Sequence, residues 1–440
     1  MQARYTPRAV WSHLRATYWF LPSVLTAAAI ALAFSLMFLD RVTGRDGLPG
    51  WLAGGGPDGA RSLLSAVAGS IITVVSVTFS VTIVALTVSA QHFGPRLLNS
   101  FMRDRSAQVV LGIFIGTFAY CLIVLRHVQG DGDEYDRFVP HLSISAALAL
   151  TLVSVGALIF YVHHVAVALQ VSHIVQGVTR DLRRAIDRLY PEQLGAGEPA
   201  RPDVPAPPVN AVRIPFSSSG YVQQLEAEQV LDVARDHEVV IWLQVRPGDF
   251  ATEGLPLALV APAPEDLDGF TRALNGTLLL GADRTETQDP AFPVQQLVEV
   301  TLHALSTGIN EPFTAATCID RLGEGLARMA TRHIPSPIRA DRDGTPRVIA
   351  PRETFGDLLD DAFDPIRAHA GRSPGVGRQL LEVLGRLAQV SRRPEDRVAI
   401  ERQADRVLES LQAWHRDPSY GPQLREAHAR VARALASPPV

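Results

Sequence analysis

Four long apolar stretches fill the first third of the chain and constrain its fold more than any other feature. A helix needs about 18–20 apolar residues to cross ~30 Å of hydrocarbon. None of the stretches contains Asp, Glu, Lys or Arg, so the chain lacks the buried ionisable groups that ion-coupled pumps use. The predicted spans are roughly Tyr18–Leu39, Leu63–Ala90, Gln108–Leu125 and His141–Val162. The pattern predicts an α-helical integral membrane domain that contacts the lipid bilayer.

The 440 residues are too many for a bundle of four membrane helices alone. The sequence predicts a membrane domain (1–190), a Pro-rich linker (191–210), a cytoplasmic α+β domain (211–350) and a C-terminal helical bundle (351–440). Span four keeps its helical pattern to about Tyr190 without a Gly/Pro pair, which predicts one continuous helix reaching into the cytoplasm.

Composition excludes several classes of function. The net charge of −4 argues against a nucleic-acid partner, because no basic field is available. The chain has no lysine, which excludes Schiff-base, biotinyl-lysine and lipoyl-lysine chemistry. Its two cysteines, Cys121 and Cys318, cannot supply a thiolate zinc site. No nucleophile elbow, P-loop, HExxH, CxxC or GxGxxG motif stands in the required context. We therefore expect no cofactor, no metal and no enzymatic activity.

Arginines in the short flanks of the spans predict the orientation, since cytoplasmic loops carry an excess of basic residues. The N-terminal tail, the loop after span two and the stretch after span four are all arginine-rich, whereas the loop Gln129–Asp136 is acidic. Both termini are therefore predicted to be cytoplasmic.

Span two has small and hydroxyl residues at a spacing of three to four, which places them on one face of a helix. Such a stripe is typical of close helix packing, and it would also suit a hydroxyl-lined path around the axis of a homo-oligomer that passes a small ion or solute. The candidate residues are Ser65, Gly69, Thr73, Ser76, Ser80, Thr87 and Gln91.

Two further motifs follow span two, one directly after it and one within span three. Gly94 and Pro95 end it, and an amphipathic segment with Arg96, Arg103 and Arg105 follows, which predicts an elbow on the inner membrane surface. Span three contains Gly112 and Gly116, a GxxxG pair that predicts close contact with another helix.

The soluble part alternates predicted strands and helices. Strands are predicted near 212–216, 238–245, 254–260 and 276–281, with a helix over Gly220–Ala234. A helix over Pro293–Leu305 follows, then one capped by Asn310, and four amphipathic helices over Phe355–Leu435.

One polar cluster in the soluble part is denser than the rest. Three interpretations remain open for it: helix capping with surface ion pairs, a contact between domains or subunits, or a catalytic or metal-binding role. Its members are Arg284, Glu286, Gln288, Asp289, Asn310 and Glu311.

Three segments carry a resemblance to a known family: "VTFSVTIVALTVSAQHFGPRLLNSFMRDRSAQVVLGIFIGTFAYCLIVLR", "SGYVQQLEAEQVLDVARDHEVVIWLQVRPGDFATEGLPLALV" and "RTETQDPAFPVQQLVEVTLHALSTGINEPFTAATCIDRL". The chain resembles the uncharacterised bacterial family of predicted membrane proteins known as domain of unknown function 2254. The resemblance implies a bacterial inner-membrane protein and supplies no activity. Two hypotheses follow from the residues: an oligomeric passive channel or transport-related protein with a cytoplasmic regulatory domain, or a non-conducting sensor or scaffold acting through its tail.

Overall fold

A computed structural model describes residues 19–43, 56–93, 105–128, 139–168, 170–191, 204–341, 343–370, 373–414 and 420–438. The chain divides into two compact units, Met1–His173 and Ile174–Val440.

The first unit contains four helices that are long and apolar enough to cross a membrane, as the sequence predicts. They are α1 (Phe20–Thr43), α2 (Pro57–Phe93), α3 (Arg105–His127) and α4 (His141–Ala168). Helix α3 lies in the middle and contacts the other three. With 37 residues, α2 is about 55 Å long, well beyond ~30 Å of hydrocarbon.

The two GxxxG glycines let α3 approach α1 closely. A Cβ at Gly112 would lie 2.6 Å from Leu25 Cδ1 and 3.1 Å from Pro22 Cα, and one at Gly116 would lie 3.2 Å from Ala29 Cβ. The close helix contact that the sequence predicts is thus made within one chain.

Two polar side chains tie the helix ends of this unit together. Asp40, in the last turn of α1, accepts hydrogen bonds from the backbone nitrogens of Leu142 (2.9 Å) and Ser143 (3.0 Å). Its carboxylate therefore caps the N-terminus of α4. Arg61 of α2 donates from Nη2 to the carbonyl of Val128 (2.9 Å), just past the end of α3.

The continuous helix predicted from span four to Tyr190 is two helices. Helix α4 ends at Ala168 and α5 covers Val171–Leu189. The two helices differ in composition. Helix α4 is mostly apolar, whereas α5 is amphipathic and buries one face, which includes Val178, Leu182 and Ile186.

The second unit contains two small sheets. Their elements are β1 (Val212–Pro215), β2 (Gly220–Leu225), α6 (Ala227–Asp236), β3 (Val240–Leu243), β4 (Phe250–Ala251), β5 (Pro256–Ala261), α7 (Leu267–Gly276), β6 (Leu278–Gly281), β7 (Ile338–Ala340) and β8 (Pro346–Ile349). One sheet has the order β1-β5-β3-β8-β7 and the other β4-β2-β6. The pair β3/β8 is parallel and the other pairs are antiparallel.

Two local predictions for this unit were wrong. The helix predicted over Gly220–Ala234 is strand β2 followed by α6, because residues 220–225 pair with β6 and bury Gly220 and Val222 on one face. Glu311, and not Asn310, occupies the N-cap position of the helix Pro312–Ala330, without a side-chain cap bond, and Asn310 adopts a left-handed backbone (φ 51°) in the preceding turn.

Six helices complete the second unit: α8 (Ala291–Ala304), α9 (Pro312–Ala330), α10 (Phe355–Ala370), α11 (Pro374–Val390), α12 (Pro394–Trp414) and α13 (Tyr420–Ala436). The last four agree with the predicted helical region, and prolines begin α11 and α12. Helices α8 and α9 contact α10 and α11, so the boundary predicted at 350/351 falls inside one compact unit.

Candidate functional site

The hydroxyl stripe of α2 is exposed on the single chain. Ser65, Gly69, Thr73, Ser76, Ser80 and Thr87 all face outward. Gln91 also belongs to α2, but its side chain lies outside the described residues, as do the elbow residues Gly94, Pro95, Arg96 and Arg103. Arg105 is the first residue of α3 and is exposed.

Four of the stripe hydroxyls are satisfied by their own helix. Thr73 donates to the carbonyl of Gly69 (3.1 Å), Ser76 to that of Ile72 (3.0 Å) and Ser80 to that of Ser76 (2.9 Å). Thr87 likewise donates to the carbonyl of Ile83 (2.9 Å). A hydroxyl bonded in this way tolerates an apolar surrounding and still offers an acceptor to water or to a second helix.

The opposite face of α2 makes the contacts within the chain. Thr78 is buried there, and the hydroxyls of Thr82 and Tyr161 of α4 are hydrogen-bonded. The stripe therefore lies on the broad surface of α2 that the rest of this unit leaves uncovered, beside exposed apolar residues such as Val77 and Val84.

The polar cluster predicted in the soluble part divides into two places. Arg284, Gln288 and Asp289 lie together in the segment between β6 and α8, with Glu286 in the same segment. Asn310 and Glu311 lie in the turn before α9, where the Glu311 carboxylate accepts a hydrogen bond from Thr314 (3.0 Å). The two groups lie in separate segments, at opposite ends of α8.

Arg284 and Asp289 form a buried ion pair. Arg284 Nη2 and Nε lie 2.6 and 2.7 Å from Asp289 Oδ2, and Nη1 donates to Gln295 Oε1 (2.6 Å). Asp289 Oδ1 also accepts from the backbone nitrogen of Phe292 (3.1 Å) at the start of α8. Burial raises the pKa of Asp289 above its ordinary value, and the charge of Arg284 partly offsets that rise.

A glycine turn covers this pair. Gly248 (φ 99°) lies so close that a Cβ there would collide with the Asp289 carboxylate and stand 3.0 Å from Arg284 Nη2. The predicted turn Arg246-Pro247-Gly248-Asp249 therefore needs glycine both for its backbone conformation and for its closeness to the ion pair.

A second buried carboxyl lies near the same turn. Glu353 is 7% exposed, and its Oε2 pairs with Arg246 Nη1 at 2.8 Å. The hydroxyl of Tyr190 donates to the backbone carbonyl of Glu353 (3.0 Å). Burial raises the pKa of Glu353 to about 7; Arg246 opposes that rise, while Asp361, Asp357 and Asp289 add to it.

Glu353 and Arg246 line a cavity of about 250 Å³ within the second unit. Sequence reasoning missed Glu353, Arg246 and Tyr190 as site residues. Arg246 stands in a predicted turn, but no local pattern links it to a carboxyl 107 residues later. Among the described residues, no group of three or more His, Cys, Asp or Glu side chains could hold a metal ion.

Together these features define a membrane protein: four candidate spans at the N-terminal side, followed by a mixed region of sheets and helices. The chain belongs to the family of predicted membrane proteins DUF2254, whose model matches residues 15–386.

Two relatives are uncharacterised proteins of Mycobacterium tuberculosis and Mycobacterium bovis. Each is 31% identical to this chain over 438 residues, covering 98% of this chain and 83% of the relative. No solved structure matches the chain significantly.

Proposed function

We propose that this protein is a homo-oligomer of the bacterial inner membrane in which copies of α2 surround a passive path for a small ion or solute. The exposed hydroxyl stripe of α2 is the observation that carries the proposal. In a single chain these groups would face acyl chains, whereas an oligomer would turn them toward each other or toward water.

The contrast with α4 supports a protein-facing or water-facing role for the stripe. The exposed face of α4 carries large apolar side chains such as Leu152, Ile159 and Phe160, which suit lipid. The exposed surface of α2 also carries apolar side chains such as Ile72 and Phe79, but the stripe itself presents hydroxyls, and a Cβ added at Gly69 would meet no atom within 4 Å. Small residues let backbones approach in a membrane, where no hydrophobic force drives helices together.

The path we propose is uncharged, which suits passive conduction better than ion-coupled transport. The stripe offers hydroxyl oxygens as weak ligands and no ionisable group that would carry a proton. The arginines of the flanks, including Arg180, Arg183 and Arg184, favour a cytoplasmic location for both termini and for the second unit, which would regulate the path.

Flux through proteoliposomes tests the proposal. The purified protein should pass small ions or solutes, and Ser76→Leu or Ser80→Leu should lower that flux at least tenfold by narrowing the path. Val77→Leu and Val81→Leu are the matched controls, because both residues are exposed on α2 beside the stripe. Equal flux in all four variants would contradict a path along the stripe, and no flux in the parent under varied voltage, tension and pH would contradict conduction.

Oligomerisation is tested separately. Ser76→Cys, in a chain whose native Cys121 and Cys318 are replaced by serine, should form a disulfide between subunits in membranes, whereas Val84→Cys should not. Absence of that crosslink together with a monomeric mass in native mass spectrometry would contradict the oligomer.

A non-conducting sensor or scaffold is the second candidate. The cavity beside Arg246 and the buried Glu353 favours it, since a preformed cavity with few polar groups is the usual form of a small-molecule site. If the parent protein conducts nothing while its second unit binds a ligand, this candidate replaces the first.

A further inference from the structure

Helix α5 has two faces of different chemistry. Its buried face packs against the rest of the second unit through apolar side chains such as Leu182, which lies against Gly325 of α9. On the other side of the helix lie Gln176, Arg180 and Arg184, which are spaced four residues apart and are all exposed. We call these three residues the outer face of α5. The chain itself covers the apolar face of this helix, whereas the outer face stays exposed.

The two arginines of the outer face are only weakly engaged by the chain. Arg180 donates from Nε to the carbonyl of Gln176 in the same helix at 3.4 Å, and it pairs with no carboxylate among the described residues. Arg184 lies 3.3 Å from Asp181, but the two side chains are 69% and 38% exposed. An exposed pair of this kind contributes little, because water and salt screen it. Both guanidinium groups can therefore bind an outside anion without losing a strong bond.

Other charged groups of α5 bind the second unit and fix how the helix is turned about its axis. The Asp187 carboxylate accepts hydrogen bonds from Nη2 of Arg328 (2.9 Å) and from Nη2 of Arg332 (2.8 Å). Arg183 of α5 forms an ion pair with Glu324. Both contacts are made with α9 or its C-terminal end, on the flank of α5 next to its buried face. They keep the outer face directed away from the second unit.

The chain ties this helix closely to the membrane. The fourth candidate span ends at Val167, and α5 begins at Val171. Four residues cover at most about 14 Å even when they are fully extended. The polar headgroup layer is roughly 5–8 Å thick on each side of the hydrocarbon. The first turns of α5, which carry Gln176 and Arg180, are therefore tethered beside the lipid headgroups.

We propose that the outer face of α5 binds the anionic headgroups of the membrane that the spans cross, with Arg180 and Arg184 donating to lipid phosphates. A guanidinium group suits a phosphate because it donates two parallel hydrogen bonds. The attraction of an anionic lipid surface falls off within a Debye length of about 10 Å, so it acts on basic groups that are tethered beside the membrane. This contact holds α5 at the lipid surface, and it does not require the path along α2 to conduct.

The water exposure of the outer face tests the proposal. Gln176→Cys, in a full-length chain whose Cys121 and Cys318 are replaced by serine, is labelled with a fluorophore and placed in nanodiscs of phosphatidylcholine alone or mixed with phosphatidylglycerol. Acrylamide, a neutral quencher, should quench the label at least roughly twofold less in the anionic discs, and salt at about 1 M should remove the difference. Equal quenching in the two lipids would overturn the proposal. Inorganic phosphate that protects the label equally in neutral discs would also overturn it, because the face would then bind a free anion.

Two double variants locate the contact. Arg180→Gln with Arg184→Gln should abolish the protection by phosphatidylglycerol, and both residues are exposed, so the fold should stay intact. Arg213→Gln with Arg272→Gln removes two exposed charges from β1 and α7 and is the matched control, which should keep the protection. Protection that persists in the α5 variant would contradict the site. Equal loss in both variants would also contradict it, because total charge alone would then explain the effect. Neither measurement depends on flux, so the contact and the proposed conduction can fail separately.

Discussion

The hydroxyl stripe of α2 and the charged groups of the second unit satisfy their hydrogen bonds in opposite ways. In α2 the hydroxyls of Thr73, Ser76 and Ser80 each bond a carbonyl of the same helix, four residues earlier. In the second unit the charged groups bond between elements: Arg246, in the turn after β3, pairs with Glu353, just before α10. Local bonds leave a helix face free to meet any partner, whereas bonds between elements hold the groups at one geometry.

This difference in hydrogen bonding indicates which groups of each unit can contact a partner and which are held in place. The stripe hydroxyls of α2 bond within their own helix, so the exposed stripe can contact a second copy of the chain or water. The buried carboxyls of the second unit depend on partners from other elements, so the loss of one partner leaves a buried group unsatisfied.

The largest effect should come from breaking the buried ion pair. Arg284→Met leaves Asp289 buried without its cation, and we expect a loss of about 3–5 kcal/mol in the free energy of unfolding. Urea titration of the full chain in detergent, followed by circular dichroism, measures it. Ser80→Ala, which removes an exposed hydroxyl bonded to its own helix, should change stability by under about 0.5 kcal/mol. Similar losses for the two variants would refute the contrast between the units.

Glu353 should make stability depend on pH. Its pKa of about 7 in the folded protein lies above the ordinary 4.5, so the folded state binds the extra proton between these values. Its contribution to stability is therefore greatest below about pH 4.5 and is lost as pH rises toward 7, by on the order of 2–3 kcal/mol in all.

Glu353→Gln removes this titration. Relative to the parent, the variant should gain stability as pH rises from 5.5 to 8.0, measured by urea titration at both values. If the difference in unfolding free energy between parent and variant stays constant over this range, burial does not raise the pKa of Glu353.

A smaller effect is expected at the contact of α3 with α1. Gly112→Leu would place a side chain against Leu25 and Pro22 and should destabilise the first unit by roughly 1–3 kcal/mol, measured by SDS titration in mixed micelles. Gly156→Leu is the matched control, because nothing lies within 4 Å of a Cβ there. Equal stability of the two variants would mean that the GxxxG pair is not a close contact within the chain.

The smallest expected loss concerns the cap of α4. Asp40→Asn replaces one of the two acceptor oxygens by an NH2 group, which leaves a backbone N–H of α4 without its acceptor, and it also removes the charge from the helix N-terminus; together these losses should cost about 1 kcal/mol. Asp58→Asn, an exposed carboxyl in the first turn of α2, is the comparison and should cost less because water screens it. The same mixed-micelle titration measures both, and a larger loss for Asp58→Asn would argue against the cap.

Much of the helical architecture could be predicted from local pattern. The four spans, the glycine pair of α3 and the helices from Phe355 onward each depend on residues close in sequence. Strands were predicted less well: β2 was assigned to a helix, and β7 and β8 were not anticipated, because strand pairing joins residues far apart in sequence. The grouping of the polar cluster was predicted only in part. Arg284 and Asp289 lie five residues apart and do pair, whereas Asn310 and Glu311 lie in a separate turn before α9.

The sequence by itself determined that this chain enters a membrane, since the length and apolar character of a segment decide how it partitions into hydrocarbon. It also determined which residues share the stripe of α2, because helical periodicity is a local property. Only the tertiary structure decided which face of α2 stays uncovered and which carboxyl loses its water beside a cavity. Exposure and burial depend on every neighbouring element at once, so residues far apart in sequence decide them together.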